Sequence, residues 1–376
     1  MKTFSTLILL LGIVLMLPAQ QTITASIQHD GLERDYILYV PAAYSPDEAV
    51  PLVLNFHGYT SNATEQMFYG DFRPLANVHN FLVVHPQGTE DDNGTTHWNV
   101  GWGGSTVDDV GFTAALLDTL QAAYNINPDR IYSTGMSNGG FMSYQLACEM
   151  SDRIAAIASV TGTMNPGQPE ACQANRPVPV MEIHGTADAT VPYDGGVFLG
   201  TEAVIDFWVE FNGCSPTAMI TDIEDTNPSD DSTVEWRQYG DCDDGVAVEL
   251  FKVLDGRHTW PGSAFAFPGT NYDINASQEI WRFFSQYDIN GLIETTNVEE
   301  LAAPLTVDLF PNPTADVLNV RSSLDDNRNY RIINAVGQEL QYGRLNNGVA
   351  NLDVAGLPTG LYWLVVGQEQ HKFIKR

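Results

Sequence analysis

Between residues 51 and 254 the sequence keeps switching its hydrophobic period, and this limits the folds open to it. Short, almost continuously apolar runs at 51–56, 81–85, 130–134, 154–160, 180–184 and 249–254 have the length of strands. A run with no polar alternation has no face to offer water, so such strands belong inside a sheet covered on both sides. The stretches between several of them repeat at helical spacing. One opens at Asp109, with Asp108 or Asp109 as its cap, and carries Phe112, Ala115, Leu116 and Leu120 on one stripe. Others are expected over 138–150 and 198–211. Strand and helix in alternation predict an α/β fold, a mostly parallel sheet with helices on both faces.

The tail follows a different pattern. Residues 307–310, 317–320, 330–334 and 361–366 read as strands separated by Pro, Asn and Gly turns, with no helix of useful length. A small all-β sandwich is expected over 307–376, joined by a linker at 290–306 that lacks an apolar period. Charge marks the same division. The tail holds seven basic and seven acidic residues, leaving ten basic and forty acidic residues before it. At the other end, Met1-Lys2, an apolar run from Leu7 to Leu17 and Pro18-Ala19-Gln20 have the form of a cleavable signal peptide over 1–19. The run is shorter than the ~20 apolar residues of a spanning helix, so no integral membrane span is expected in the mature chain. The main domain is then 20–289.

A net charge of −30 argues against nucleic acid as a partner, since phosphate binding needs clustered Lys and Arg. Export permits disulfides. The four cysteines show no Cys-x-x-Cys spacing, and sequence order favours Cys148–Cys172 and Cys214–Cys242 among three possible connectivities.

The chemistry centres on Gly135-Met136-Ser137-Asn138-Gly139-Gly140, between an expected strand and an expected helix. A serine on that sharp turn presents its hydroxyl above the sheet, and the helix N-terminus favours an anion beside it. A serine nucleophile needs a base, and the base an orienting acid, in the chain order Ser, Asp or Glu, His. Only His184, His258 and His371 follow Ser137. His371 lies in the tail and His184 in or at the end of a strand, whereas His258 occupies a loop directly after one. His258 is therefore the expected base. Asp188 is the expected acid, with Asp194 as its rival. The oxyanion donors are expected to be the backbone amides of Asn138 and of Tyr59, which follows Phe56-His57-Gly58. His57 reads as a brace for that loop, with a metal ligand or second base as the other readings. Trp102 and Trp260 are candidates for substrate contact, each equally readable as core. The acidic clusters 91–94 and 241–245 lack calcium-loop spacing, and no metal site is expected.

These motifs, with Val107-Asp108-Asp109-Val110-Gly111-Phe112, His184-Gly185-Thr186-Ala187-Asp188 and His258-Thr259-Trp260-Pro261-Gly262, make residues 24–285 resemble a known group. It is the polyhydroxybutyrate depolymerase and feruloyl/acetylxylan esterase group, carbohydrate esterase family one. The resemblance implies an α/β-hydrolase fold and a triad of Ser137, Asp188 and His258. The chain departs from many relatives in having Tyr59 in place of Cys and Arg257 in place of Gly. The tail resembles a type IX secretion sorting domain through Leu309-Phe310-Pro311-Asn312-Pro313, Gly356-Leu357-Pro358-Thr359-Gly360-Leu361-Tyr362 and Lys372-Phe373-Ile374-Lys375-Arg376. A carbohydrate-binding sandwich is the rival reading, and it requires an exposed aromatic platform.

Together these readings predict a secreted or surface-exposed serine esterase that needs no cofactor. Its expected partners are an ester-bearing polymer or oligomer and the type IX machinery. Feruloyl or acetyl esters of plant polysaccharide lead as substrates, with a polyhydroxyalkanoate or other polyester as the alternative. A binding protein on a hydrolase scaffold is the non-enzymatic alternative.

Overall fold

The computed structural model describes residues 20–265, 267–293, 307–322, 329–334, 339–345, 348–366 and 369–376. The expected signal peptide and all but the first four residues of the expected linker lie outside the described residues. The chain divides into a unit ending at Ile293 and a second from Glu294 to Arg376.

The first unit is built on one sheet of ten strands. In chain order these are β1 (Gln21–His29), β2 (Leu32–Val40), β3 (Val50–Phe56), β4 (Leu82–Pro86) and β5 (Ile126–Met136). They continue as β6 (Ala156–Val160), β7 (Val180–Gly185), β8 (Met219–Asp222), β9 (Thr233–Tyr239) and β10 (Val248–Leu254). Their spatial order is β1-β2-β4-β3-β5-β6-β7-β10-β9-β8. The six central strands, β4 to β10 in that order, run parallel. They are the apolar runs read from the sequence, and every residue of β3, β4, β6 and β7 is buried. Antiparallel pairs extend both edges, β1–β2 on one side and β9–β8 on the other.

Six helices cover the sheet: α1 (Ala63–Tyr69), α2 (Arg73–His79), α3 (Asp109–Ala123), α4 (Asn138–Glu149), α5 (Thr201–Phe211) and α6 (Ala276–Phe284). Three of them, α1, α3 and α6, start at a side-chain cap that satisfies a free first-turn amide, and α2 has Pro74 in its first turn. Asp108 accepts from Gly111 at 2.8 Å to begin α3, and Asn275 accepts from Gln278 at 3.0 Å to begin α6. Alternation along β3 and β4 sends Leu52, Leu54, Leu82 and Val84 toward α3, α4 and α5, and Val53 and Val83 toward α2 and α6. On the second face, Trp281 stacks on Phe81 and Phe284 on Tyr132, with ring centroids 3.9 and 4.8 Å apart.

Several expected boundaries move. The helix expected over 198–211 begins at Thr201, because Gly200 before it is extended, at φ −66° and ψ 151°. Residues 290–293 belong to the first unit and not to a linker, since Gly291–Leu292 pairs antiparallel with Tyr287–Asp288. The cysteines pair as Cys148–Cys172 and Cys214–Cys242.

In the second unit, β11 (Val307–Phe310), β12 (Val317–Ser322) and β15 (Val349–Asp353) form one antiparallel sheet. A second contains β13 (Asn329–Asn334), β14 (Glu339–Arg344), β16 (Gly360–Val366) and β17 (Glu369–Lys375). Leu318, Val320 and Leu352 of one sheet share a core with Ile332, Leu364, Val366 and Phe373 of the other, which makes a sandwich. Tyr330 and Tyr362 are buried in that core, so neither contributes to an aromatic platform.

Candidate active site

Strand β3 leads to β4 on one side of itself, while β5 lies on its other side. That reversal opens a crevice beyond the carboxyl ends of β3 and β5, where ligands bind in open α/β sheets. His57 and Gly58 follow β3, and Ser137 follows β5. Ser137 holds φ 53° and ψ −119°, a conformation costly for any residue with a Cβ. It is pinned by its own N–H to the Val160 carbonyl at 2.8 Å and by Phe141 N–H to its carbonyl at 3.0 Å. Its side chain makes no capping bond to α4, which it precedes. The turn is tight because α4 starts against β3: a Cβ on Gly139 would lie 2.2 Å from the Phe56 carbonyl oxygen.

The first amides of a helix have no intrahelical acceptor, so the Asn138 N–H is a donor of the right kind beside Ser137. Gly58 comes so close that a Cβ there would be 3.5 Å from Ser137 Cβ, which brings the chain leading into Tyr59 alongside the serine. His57 braces this loop from a wholly buried position. Its Nδ1 faces the Gly58 carbonyl at 2.8 Å, and its Nε2 accepts from Gly88 N–H at 3.0 Å. Burial lowers its pKa to about 4, which keeps the ring neutral and both nitrogens occupied. A clamp not read from the sequence completes the loop. The buried Asn138 side chain accepts from Trp98 N–H at 2.6 Å and donates to the Trp98 carbonyl at 3.1 Å. The Trp98 indole N–H in turn donates to the His57 carbonyl at 2.9 Å.

Asp188 and His258 meet across the loops after β7 and β10, neighbouring parallel strands. His258 Nδ1 is 2.7 Å from Asp188 Oδ2, while Asp188 Oδ1 accepts from the Thr190 and Val191 amides at 2.7 and 2.9 Å. Burial opposes the charge on Asp188, but hydrogen bonds from His184 and His258 outweigh it and hold the carboxyl below the usual carboxylate range. Asp194, the rival acid, is exposed on a turn closed by Gly195 N–H to the Pro192 carbonyl. His184 is wholly buried in β7, with Nδ1 2.8 Å from Glu182 Oε1 and Nε2 2.8 Å from the Val191 carbonyl.

Ser137 and His258 line one cavity of about 980 Å³. Its walls include Tyr59, Phe68 and Tyr69 from the α1 side and Phe265 and Phe267 from the loop after His258. Phe68, Phe265 and Phe267 are 43, 50 and 54% exposed, and they are the exposed phenylalanines among the described residues of the first unit. Arg257 also lines the cavity, and Tyr59 is fixed by its hydroxyl donating to Asp91 at 2.8 Å.

The two tryptophans expected at the substrate need correction, because neither lines this cavity. Trp260 is 1% exposed and packs edge-on to Phe72, with its indole N–H donating to Ser277 Oγ at 3.2 Å. Its backbone N–H fixes the Tyr69 hydroxyl at 3.0 Å, so it supports the wall without forming it. Trp102 stands behind Tyr59 at 6.1 Å, among Phe141 and Phe198, and donates to Asn165 Oδ1 at 3.1 Å.

Comparison with known proteins finds similarity to esterases over the first unit and to a sorting domain over the tail. Residues 34–199 match the family described as Esterase PHB depolymerase, and residues 308–376 match the Secretion system C-terminal sorting domain. The chain is 28% identical over 277 residues to a bifunctional acetylxylan esterase/xylanase of Neocallimastix patriciarum, covering 73% of this chain and 36% of that one. It is 28% identical over 240 residues to feruloyl esterase B of Piromyces equi, covering 60% and 42%. With feruloyl esterase D of Neurospora crassa it shares 27% over 279 residues, covering 71% and 86%. The chain thus spans less than half the length of the first two relatives. Its residues 34–199 are thus similar to esterases of the PHB depolymerase kind, and its residues 308–376 to C-terminal secretion sorting domains.

Proposed function

We propose that this chain is a secreted serine carboxylic ester hydrolase in which Ser137, His258 and Asp188 form the catalytic triad. The observation that carries the reading is the 2.7 Å Asp188–His258 bond, set on the same cavity as a strained Ser137. In the proposed reaction His258 Nε2 takes the Ser137 proton as Oγ attacks the ester carbonyl. Asp188 holds the ring by Nδ1 and stabilises its charged form. The Tyr59 and Asn138 amides receive the oxyanion, a contribution of about 10²–10³ in rate per donor. His258 then protonates the leaving alcohol, and water, activated by the same ring, releases the acid.

Feruloyl esters of plant polysaccharide are the favoured substrates, ahead of acetyl esters. A cavity of about 980 Å³ walled by Tyr69, Phe265 and Phe267 suits a planar aromatic acyl group and leaves an acetyl group largely uncontacted. The match to a sorting domain supports export by the type IX route, with the cell surface or the medium as the destination and the export machinery as a second partner.

Purified protein assayed on methyl ferulate, acetylated xylan and polyhydroxybutyrate tests the proposal. Hydrolysis fastest on methyl ferulate and abolished in Ser137→Ala is expected. Activity retained in clean Ser137→Ala protein would overturn the triad, and a preference for the polyester would overturn the substrate class.

A further inference from the structure

Behind the acid–base pair lies a second pair of titratable groups for which the proposed hydrolysis has no use. Glu182 and His184 project from the same face of β7, two residues apart, and both are wholly buried. Every polar atom of this pair has a fixed neighbour. His184 Nδ1 faces Glu182 Oε1 at 2.8 Å, and Nε2 faces the Val191 carbonyl at 2.8 Å and Asp188 Oδ2 at 3.5 Å. Glu182 Oε2 accepts from the Tyr144 hydroxyl at 2.9 Å. A carbonyl only accepts, so Nε2 must carry a proton. Burial pushes the Glu182 carboxyl up to about 7 against the pull of its bonds from His184 and Tyr144, and the imidazole, raised further by its two carboxylate neighbours, keeps the shared proton on Nδ1. The ring is then an imidazolium held between two carboxylates.

We propose that Glu182 and His184 form a buried ion pair whose positive end presses on Asp188, making both of them positioning groups for the triad. The pair locks the Asp188 carboxylate against His258. It also lowers the proton affinity of His258, so a neutral base survives at lower pH than an isolated Asp–His pair allows. The inference rests on the reading of His258 as general base. Burial by itself would lower the His184 pKa, but its bonds to Asp188 and Glu182 outweigh burial and carry it up to about 9.

The other charged and titratable groups around His184 leave this polarity in place. Tyr193 packs edge-on at 5.9 Å, and Tyr144 of α4 reaches it only through Glu182. Lys252 of β10, in register with His184, lies over the Tyr193 ring at 5.0 Å. Lys252 is paired with Glu202 at 3.3 Å, and Arg237 of β9 reaches the same carboxylate at 3.0 Å.

The test is the pH profile of kcat/KM on methyl ferulate for the unmodified enzyme, His184→Gln and the charge-balanced double variant Glu182→Gln/His184→Gln. Removing a cation that touches the partner of His258 should move the acid limb upward by about one unit. A purely structural role would lower the plateau and leave the limb in place. A folded variant whose limb does not move overturns the inference while leaving the esterase reading intact. Activity that persists in Ser137→Ala overturns the esterase reading first. If neither variant folds, nitrogen-15 histidine NMR of the unmodified protein decides the matter. His184 with two slowly exchanging N–H protons at pH 7 supports the ion pair, and a single N–H overturns it.

Discussion

The Asn138 side chain offers the sharpest test of how the proposed oxyanion loop is held. Asn138→Ala leaves the backbone amide in place but removes both bonds to Trp98, at 2.6 and 3.1 Å, from a site with no exposure. Each orphaned backbone group costs about 1–3 kcal/mol when water cannot reach it. The gain in helix propensity returns at most about 0.7 kcal/mol. Two such groups less that gain give a net loss of about 1–5 kcal/mol. With a urea slope near 3 kcal/mol per molar, the unfolding midpoint falls by about 1 M. Tryptophan fluorescence is a suitable probe, since Trp98, Trp102, Trp208, Trp236, Trp260 and Trp281 all belong to the first unit and only Trp363 to the second. Trp98 also holds the His57 carbonyl, so kcat should fall about tenfold with KM little changed, the pattern of lost transition-state stabilisation. A midpoint shift equivalent to less than about 0.5 kcal/mol, with kcat unaltered, would refute the clamp.

Three further outcomes follow from the packing. Gly139→Ala places a Cβ 2.2 Å from one backbone oxygen and 2.8 Å from another, so the elbow must open; activity should drop at least 100-fold, and a near-normal kcat would contradict the geometry. Phe267→Ala removes half of the edge-on Tyr69–Phe267 pair, and KM for methyl ferulate should rise severalfold while p-nitrophenyl acetate is scarcely affected; equal effects on both esters would remove the aromatic wall from the specificity argument. Burial holds the His85 pKa at about 3, whereas the unfolded ring takes up its proton near 6.5, so the unfolded state gains stability as pH falls through that window. His85→Leu should therefore lose less stability than the parent between pH 6.5 and 3, and parallel urea midpoints across that range would exclude the linkage.

Much of this architecture was legible because it depends on local patterns. Six apolar runs became the six parallel strands, since a strand buried on both faces needs no polar alternation. The edges were less legible. Asp30-Gly31, at φ 48° and 77°, is a hairpin turn signal between two β-rich runs, yet β1 and β2 were absent from the expected elements. In the tail, β14, β15 and β17 were likewise missed, being short strands with polar residues at alternate positions.

The proposed catalytic arrangement divides in the same way. Ser137 was marked by its turn, and His258 by elimination among the histidines after it, because chain order in this fold is restricted. What surrounds them was decided by the tertiary structure. Trp260 is two residues from His258 but points into the core, since adjacent side chains take directions that only packing sets. Phe68 and Phe267 share a wall because the ends of distant strands open onto one crevice. Glu182 and His184 read as part of a buried strand until the fold set them behind Asp188. The sequence by itself marked the strands and the candidate residues Ser137, Asp188 and His258 in chain order, because periodicity and turn residues act over a few neighbours. The cavity wall, the Asn138–Trp98 clamp and the charge behind the acid arise from contacts between segments far apart in the chain, and these exist only once the sheet has brought them together.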